Sequence, residues 1–252
     1  MKKVLKWVGI ALGGVVALVL IAGVVLYTRG SSAIAEAHTV EVAALDIPSD
    51  SASIARGAHL AGILGCVDCH GDNLAGALMG DAPPFTLVAS NLTPGGIGAE
   101  YSAEDWDRAI RHGVAANGRA LFVMPAGAYN KISDTEAAAL IAYLQTLPPV
   151  ENDHAGITWK PMGRILAGGP IDLSKGVYTA TTLATSPAPD STAAYGEYFA
   201  NAVCAYCHGP NLEGQMVEEG PTSIFAPNLR ASGQWPAEQF HETMTTGVTP
   251  TG

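Results

Sequence analysis

Cysteine appears only four times in this 252-residue chain, and never outside two short clusters. A small disulfide-stapled scaffold is therefore excluded, because such folds use many bridges in place of a core. Charge is scarce as well, at 14% of residues, and positive charge is scarcer than negative: 13 Lys and Arg stand against 23 Asp and Glu. Only nine of the basic residues lie beyond Gly30, where all 23 acids lie, so no basic patch suited to nucleic acid is expected. There is no phosphate-binding glycine loop, no HExxH helix and no Ser-His-Asp order. Those absences remove the usual signatures of phosphoryl transfer, zinc peptidase and serine hydrolase chemistry. With 48% apolar residues the chain is not a disordered polymer, and its length suits one large domain or two modest ones.

A long apolar run occurs once. Lys2, Lys3 and Lys6 precede WVGIALGGVVALVLIAGVVLY, the 21 uncharged residues from Trp7 to Tyr27. As a helix this run reaches roughly 31 Å, enough for a hydrocarbon core of about 30 Å. A cleaved signal peptide is the rival reading, with Ala33-Ile34-Ala35 as the cleavage site. Signal h-regions usually run about 7–15 residues, however, and Trp7 and Tyr27 sit like interfacial anchors at the two ends of this longer one. Residues 1–30 therefore read as an uncleaved transmembrane anchor and 31–50 as a linker. Three lysines before the span and only Arg29 just after it put the N-terminus in the cytoplasm and the remainder in the periplasm, on a single-pass bacterial inner-membrane protein. Gly9 and Gly13 form a GxxxG pair on this helix, a spacing also common in membrane helices without special function.

The two cysteine clusters are Cys66-Val67-Asp68-Cys69-His70 and Cys204-Ala205-Tyr206-Cys207-His208. One helical turn presents both sulfurs to the same side, and the next residue adds an imidazole. That spacing lets two thioethers form with the vinyl edge of a haem while the histidine reaches iron. Other readings of CxxC fit less well. A redox dithiol needs a βαβ context, which neither copy has. Zinc ribbons pair two knuckles about 15–20 residues apart, whereas 134 residues separate Cys69 from Cys204. Disulfides need no histidine after each pair. Two covalently bound haem c groups are the cofactors expected, tethered by Cys66, Cys69, Cys204 and Cys207, with His70 and His208 on the irons.

For the opposite face of the first iron the candidate is Met124, in LFVMPAGAYN. Pro125 removes a donor and disfavours helix before it, so the segment reads as an extended loop, and it lies far enough from His70 to come round to the other side. Core packing is the alternative job for Met124. Met79 and Met216 follow their histidines closely and read as pocket or loop packing.

The order CxxCH, then NLTP (Asn91 to Pro94), YSAEDWDRAIRHGV (Tyr101 to Val114), Met124-Pro125 and a helix ending in YLQTLPP resembles class I cytochrome c domains. It is similar in particular to those of membrane-bound multihaem cytochrome subunits that accept electrons from alcohol, aldehyde or gluconate dehydrogenases. The resemblance covers about residues 50–150. It implies an all-α fold around a haem pocket and an electron-transfer role. Family subunits often carry three haem domains, whereas this chain has two attachment sites.

Local patterns agree. Ser53 to Leu64 reads as a short helix leading into the first cluster. Ser102 with Asp105, and Ser133 with Glu136, read as helix starts, the second followed by a stripe of Leu140, Ile141, Leu144 and Leu147. Pro148-Pro149 closes that helix. These make three helices around a pocket rather than a sheet, in a first domain at 51–150. Residues 151–190 are rich in Pro, Gly, Ser and Thr and read as a linker or a strap, with Trp159, Met162 and Leu166 available to cover a haem edge. His59 and His112 fall on helices as surface or pocket-rim residues, and His38 and His154 in polar linker sequence.

Residues 191–252 repeat the first domain. Asn228-Leu229 answers Asn91-Leu92, Trp235-Pro236-Ala237-Glu238 answers Tyr101-Ser102-Ala103-Glu104, and Gly247 answers Gly113 at an offset of 247 − 113 = 134. At that offset the counterpart of Met124 falls at 258, past Gly252, so the second domain is expected to be incomplete at its C-terminal end. His241 and Met244 are the other candidates for its distal ligand, both on a helix where packing or surface roles are usual.

The resulting expectation is a membrane-anchored dihaem c-type cytochrome rather than an enzyme. Its partners are lipid through one helix and a redox donor and acceptor: a dehydrogenase, a quinol-oxidising complex or a terminal oxidase. The alternatives are a dihaem peroxidase with an open second iron, and a non-catalytic haem subunit of a larger respiratory or photosynthetic membrane complex.

Overall fold

The computed structural model describes residues 1–152, 154, 156–179, 185–219 and 222–250. The chain divides into two compact units, Met1–Thr185 and Ser186–Gly252.

The first unit begins with helix α1, Lys2–Ala35, whose 18-residue apolar window has a mean hydropathy of 2.7 and none of its residues buried. It is long and apolar enough to cross a membrane, and its 34 residues exceed what that needs. It also runs five residues past Gly30, where the linker was expected to start. Ser31 returns its hydroxyl to the Tyr27 carbonyl at 2.8 Å, which supports the extra turn. Gly30 is buried there against the Arg164 carbonyl of helix α7 (introduced below), with no room for a side chain.

Helix α2, Ser51–Ile63, starts where the Asp50 carboxylate accepts from the Ala52 and Ser53 amides. Its Gly57 lies against the Ala139 carbonyl, and its Arg56 pairs with Glu136. Gly65, at φ 72°, turns the chain into the single helical turn α3, Cys66–His70. Strands β1 (Ala77–Asp81) and β2 (Phe85–Ala89) then form an antiparallel hairpin with a bulge at Met79. The all-helical expectation is corrected here: the unit is mostly helical but carries a small sheet. Apolar runs of four or five residues do not distinguish strand from buried loop or helix, so the hairpin left no clear periodic signal.

Helix α4, Ala103–His112, opens with a complete capping box between Ser102 and Asp105. One face buries Trp106, Ala109 and Ile110; another buries Asp107 and Arg111. A four-residue helix α5, Ala126–Tyr129, follows Met124-Pro125. Helix α6, Asp134–Gln145, is capped by Ser133 and buries Leu140, Ile141 and Leu144 against the other helices, while Leu147 lies past its end.

The segment after Pro149 packs back on this unit. Strand β3, Thr158–Trp159, adds antiparallel to β2 as Phe85↔Trp159 and Thr86↔Thr158. Helix α7, Pro161–Ala167, lies on the end of α1, and a 3-10 turn at Leu173–Gly176 returns toward α4.

The second unit contains helix α8 (Ala193–Phe199), a π-helical turn (Ala200–Cys204), helix α9 (Ala205–His208), the antiparallel strands β4 (Gln215–Glu219) and β5 (Thr222–Ala226), and helix α10 (Ala237–Thr246). His241 and Met244 are exposed on α10.

The α2–α6 contact generates a paired prediction. Gly57→Ala forces a Cβ onto the Ala139 backbone and should destabilise the first unit by about 1–3 kcal/mol. Gly62→Ala, on the same helix with nothing within 4 Å of its Cβ, should be neutral or stabilising by roughly 0.5–1 kcal/mol. Thermal unfolding of the two variants separates these outcomes.

Candidate haem site

Geometry around α3 is set by two neighbours, Gly65 and Ser90. Gly65 lets the chain enter in a left-handed conformation, which few side chains adopt, and brings Cys66 and Cys69 onto one turn. Both sulfurs are half-buried and free, so neither is spent in a disulfide. His70 places its Nδ1 2.7 Å from the Ser90 carbonyl at the end of β2. A carbonyl can only accept, so Nδ1 carries the proton and Nε2 keeps its lone pair. Burial pushes the His70 pKa below its usual 6.5, which favours that neutral ring. Burial also pushes the Cys66 thiol up to about 11. That is the reverse of an activated dithiol, whose thiolate is stabilised.

Cys66, Cys69, His70 and Met124 line one cleft of about 1140 Å³, measured out to its open mouth. The remaining wall is largely apolar, with Ile110, Leu121 and Leu140 among its members. The Met124 amide donates to Leu121 and its carbonyl accepts from Ala126, which fixes the loop that carries the sulfur. Tyr129, five residues on, donates from its hydroxyl to the Leu64 carbonyl at 2.8 Å and so ties this loop to the turn before Cys66. Met79, the bulged residue of β1, lines the same cleft while remaining half-exposed.

Trp106 also lines the cleft, and its indole N–H is buried with no hydrogen-bond partner among the described residues. A buried donor without an acceptor is costly. Two tethering thiols, a neutral imidazole with a free Nε2, a thioether and an unpartnered N–H around an apolar slot fit a haem, a flat apolar ring with carboxylate substituents. No group of three or more His, Cys, Asp and Glu among the described residues is arranged to hold a bare metal ion.

The cytochrome c family model matches residues 54–148, the stretch that builds this cleft. That stretch is a cytochrome c domain. The chain is 36% identical over 68% of its length to the gluconate 2-dehydrogenase cytochrome c subunit of Pantoea cypripedii, covering 42% of that protein. It is 30% identical over 79% of its length to the alcohol dehydrogenase (quinone) cytochrome c subunit of Gluconacetobacter polyoxogenes, covering 46%. The fructose dehydrogenase cytochrome subunit of Gluconobacter japonicus matches at 38% over 39% of the chain, covering 22%. The chain thus spans less than half the length of these relatives.

In the second unit, Cys204 is the residue before α9 and Cys207 lies within it, and His208 Nδ1 stands 2.7 Å from the Pro227 carbonyl. Burial raises the Cys204 thiol as it does Cys66.

Several working residues left no sequence signal. Ser90 acts through a backbone carbonyl, which no side chain announces. Gly156 and Ile157 line the cleft, whereas the half-exposed Met162 does not. Trp159 packs edge-on against Phe85 and at a tilt against Phe122 instead. His112, expected at a surface or rim, is buried with its Nδ1 2.6 Å from the Tyr178 carbonyl. Trp106 was not singled out either, although its i, i+3, i+4 spacing with Ala109 and Ile110 is a signal that marks it.

The raised Cys66 pKa has a measurable consequence in chain made without haem. The neutral thiol persists above the usual 9.0, so alkylation at Cys66 should climb only as pH approaches about 11. The same shift favours the folded state fully below pH 9.0, and that contribution is lost as pH rises through about 11. Iodoacetamide labelling followed by peptide mapping across pH 8–12, with unfolded chain as reference, checks both the rate and its midpoint.

Proposed function

We propose that this chain is a membrane-anchored dihaem cytochrome c that transfers electrons between periplasmic or membrane redox partners, receiving them from a dehydrogenase. The observation that carries the dihaem reading is the repeated backbone around the two CxxCH clusters. His70 Nδ1 faces the Ser90 carbonyl, and His208 Nδ1 faces that of Pro227, each at 2.7 Å. The Gly76 amide donates to His70 and the Gly214 amide to His208; the Leu92 amide donates to Leu74 and that of Leu229 to Leu212. Leu74 and Leu212 even share a left-handed φ, 56° and 58°. Leucine rarely adopts that conformation, so its recurrence at matched positions favours two copies of one site.

Cys66 and Cys69, and in the second unit Cys204 and Cys207, are assigned as thioether tethers. His70 and His208 would hold the irons, with Met124 as the second protein ligand at the first site. Bound haem supplies reversible one-electron chemistry at its iron. His70 and Met124 would both hold the iron and would so exclude water and peroxide from the first site. A thioether favours the reduced metal and so raises the potential, while the apolar wall keeps a charged state from being solvated.

Helix α1 supports the anchoring, and the three lysines before it support a cytoplasmic N-terminus with both haem units in the periplasm, on the inner membrane. The relatives named as cytochrome subunits of gluconate, alcohol and fructose dehydrogenases favour a dehydrogenase as donor.

Haem content tests the count. The full chain should bind two haems per polypeptide, and Cys204→Ala with Cys207→Ala should halve that while leaving the first site's potential unchanged. Met124→Ala should lower the first potential and turn its ferric spectrum from low-spin to high-spin. An unchanged spectrum would remove Met124 from the ligand set. Peroxide turnover by the unmodified chain would instead favour the peroxidase alternative.

A further inference from the structure

The segment from Ile157 to Tyr178 touches the Met124 loop at two places that nothing in the cytochrome role requires. At the first, Trp159 packs at a tilt against Phe122, two residues before Met124, with ring centroids 5.4 Å apart. Phe85 completes the cluster, 5.6 Å from Trp159 and 6.2 Å from Phe122, so three rings close on one another. Phe85 belongs to β2, the strand that leads into Ser90, whose carbonyl orients His70. Trp159 is therefore wedged between the element that holds the histidine and the loop that holds the methionine.

At the second, Gly176 and Tyr178 pass against the backbone of the loop at Phe122 and Gly127. A Cβ at Gly176 would stand 2.9 Å from Phe122 Cα, and one at Gly127 would stand 2.5 Å from the Tyr178 hydroxyl oxygen. Tyr178 is itself pinned by two bonds to one residue. Its amide donates to the His112 carbonyl at 3.0 Å, and its carbonyl faces His112 Nδ1 at 2.6 Å. His112 ends α4, so the strap end is fixed to the helix that supplies Trp106 and Ile110 to the cleft. The stretch Leu121–Gly127 is thus held near both of its ends.

We propose that Ile157–Tyr178 is a clamp, with Trp159 and Tyr178 as positioning residues that hold the Met124 loop closed over the cleft. The clamp rests on the assignment of Met124 as distal ligand. Neither residue needs to touch the haem. Each acts by limiting the excursions of Phe122 and Gly127, and hence the fraction of time the sulfur is away from its closed position. An exogenous ligand enters only during that time, so its binding rate reports the clamp directly.

The test uses the full anchored chain carrying Cys204→Ala and Cys207→Ala, so that only the first site reports. Imidazole binding to ferric protein is followed by stopped flow, with haem content measured alongside. Trp159→Ala and Tyr178→Ala should each accelerate binding about tenfold or more, and Trp159→Phe should restore the parent rate. Met162→Ala, half-exposed on α7, should leave it unchanged. If Trp159→Ala does not load haem, Trp159→Leu is read in its place and should accelerate binding as well. Met124→Ala separates the two ideas. Fast binding in Met124→Ala with parent-like rates in the Trp159 and Tyr178 variants overturns the clamp alone. A parent-like rate in Met124→Ala itself overturns the ligand assignment, and the clamp falls with it.

Discussion

The hydrogen bond between His70 Nδ1 and the Ser90 carbonyl settles which imidazole nitrogen faces the cleft, and most of the first unit's local architecture serves to place that carbonyl. Ser90 follows β2, β2 is held by β1 and β3, and the chain between His70 and β1 turns through Gly71 and a left-handed Leu74. The Leu92 amide closes the arrangement by donating to Leu74 at 2.9 Å. A histidine free to rotate would present either nitrogen. One whose Nδ1–H is committed presents only Nε2, and burial keeps it neutral so that the lone pair is not lost to a proton.

Charge is kept out of the cleft by the division of labour on α4. Trp106, Ala109 and Ile110 face inward, while Asp107 and Arg111, each 1% exposed in their side chains, occupy a different face. Burial opposes the charge on Arg111, but its bonds to Asp107 and Asp134 outweigh that and raise its pKa above the ordinary value. The guanidinium also donates to the Ile132 carbonyl at 3.3 Å, and the Arg111 carbonyl accepts from Asn130. Buried ions are tolerable when their hydrogen-bonding capacity is filled in this way. The cluster joins α4 to the start of α6 and to the end of the loop that begins at Met124. Its work is mechanical, and nothing in its geometry calls for a part in electron transfer.

What was legible in the sequence and what was not follow from the range of the interactions. CxxCH, the Ser102–Asp105 box and the apolar stripe of α6 are written within a few residues, and the structure has each of them as a local element. The β1–β2 hairpin was missed because its runs are short and its pairing is with another strand. The strap was left open between passive spacer and cover, since its composition is that of a linker. Its contacts, Trp159 to Phe85 and Tyr178 to His112, span 159 − 85 = 74 and 178 − 112 = 66 residues. His112 was misjudged for the same reason: its burial comes from a segment that its own neighbourhood does not predict.

The two units separate local geometry from burial. Turn angles and histidine–carbonyl bonds recur almost without change and a hairpin follows each, bulged only in the first, yet Trp106 and Ile110 are buried on α4 whereas Phe240 and Met244 are exposed on α10. Backbone geometry near each CxxCH therefore does not depend on a filled core. It is fixed by short-range hydrogen bonds and by glycines in left-handed conformations. Burial of the α4 face depends on α6, which packs across α2 at Gly57 and contributes Leu140 to the cleft wall.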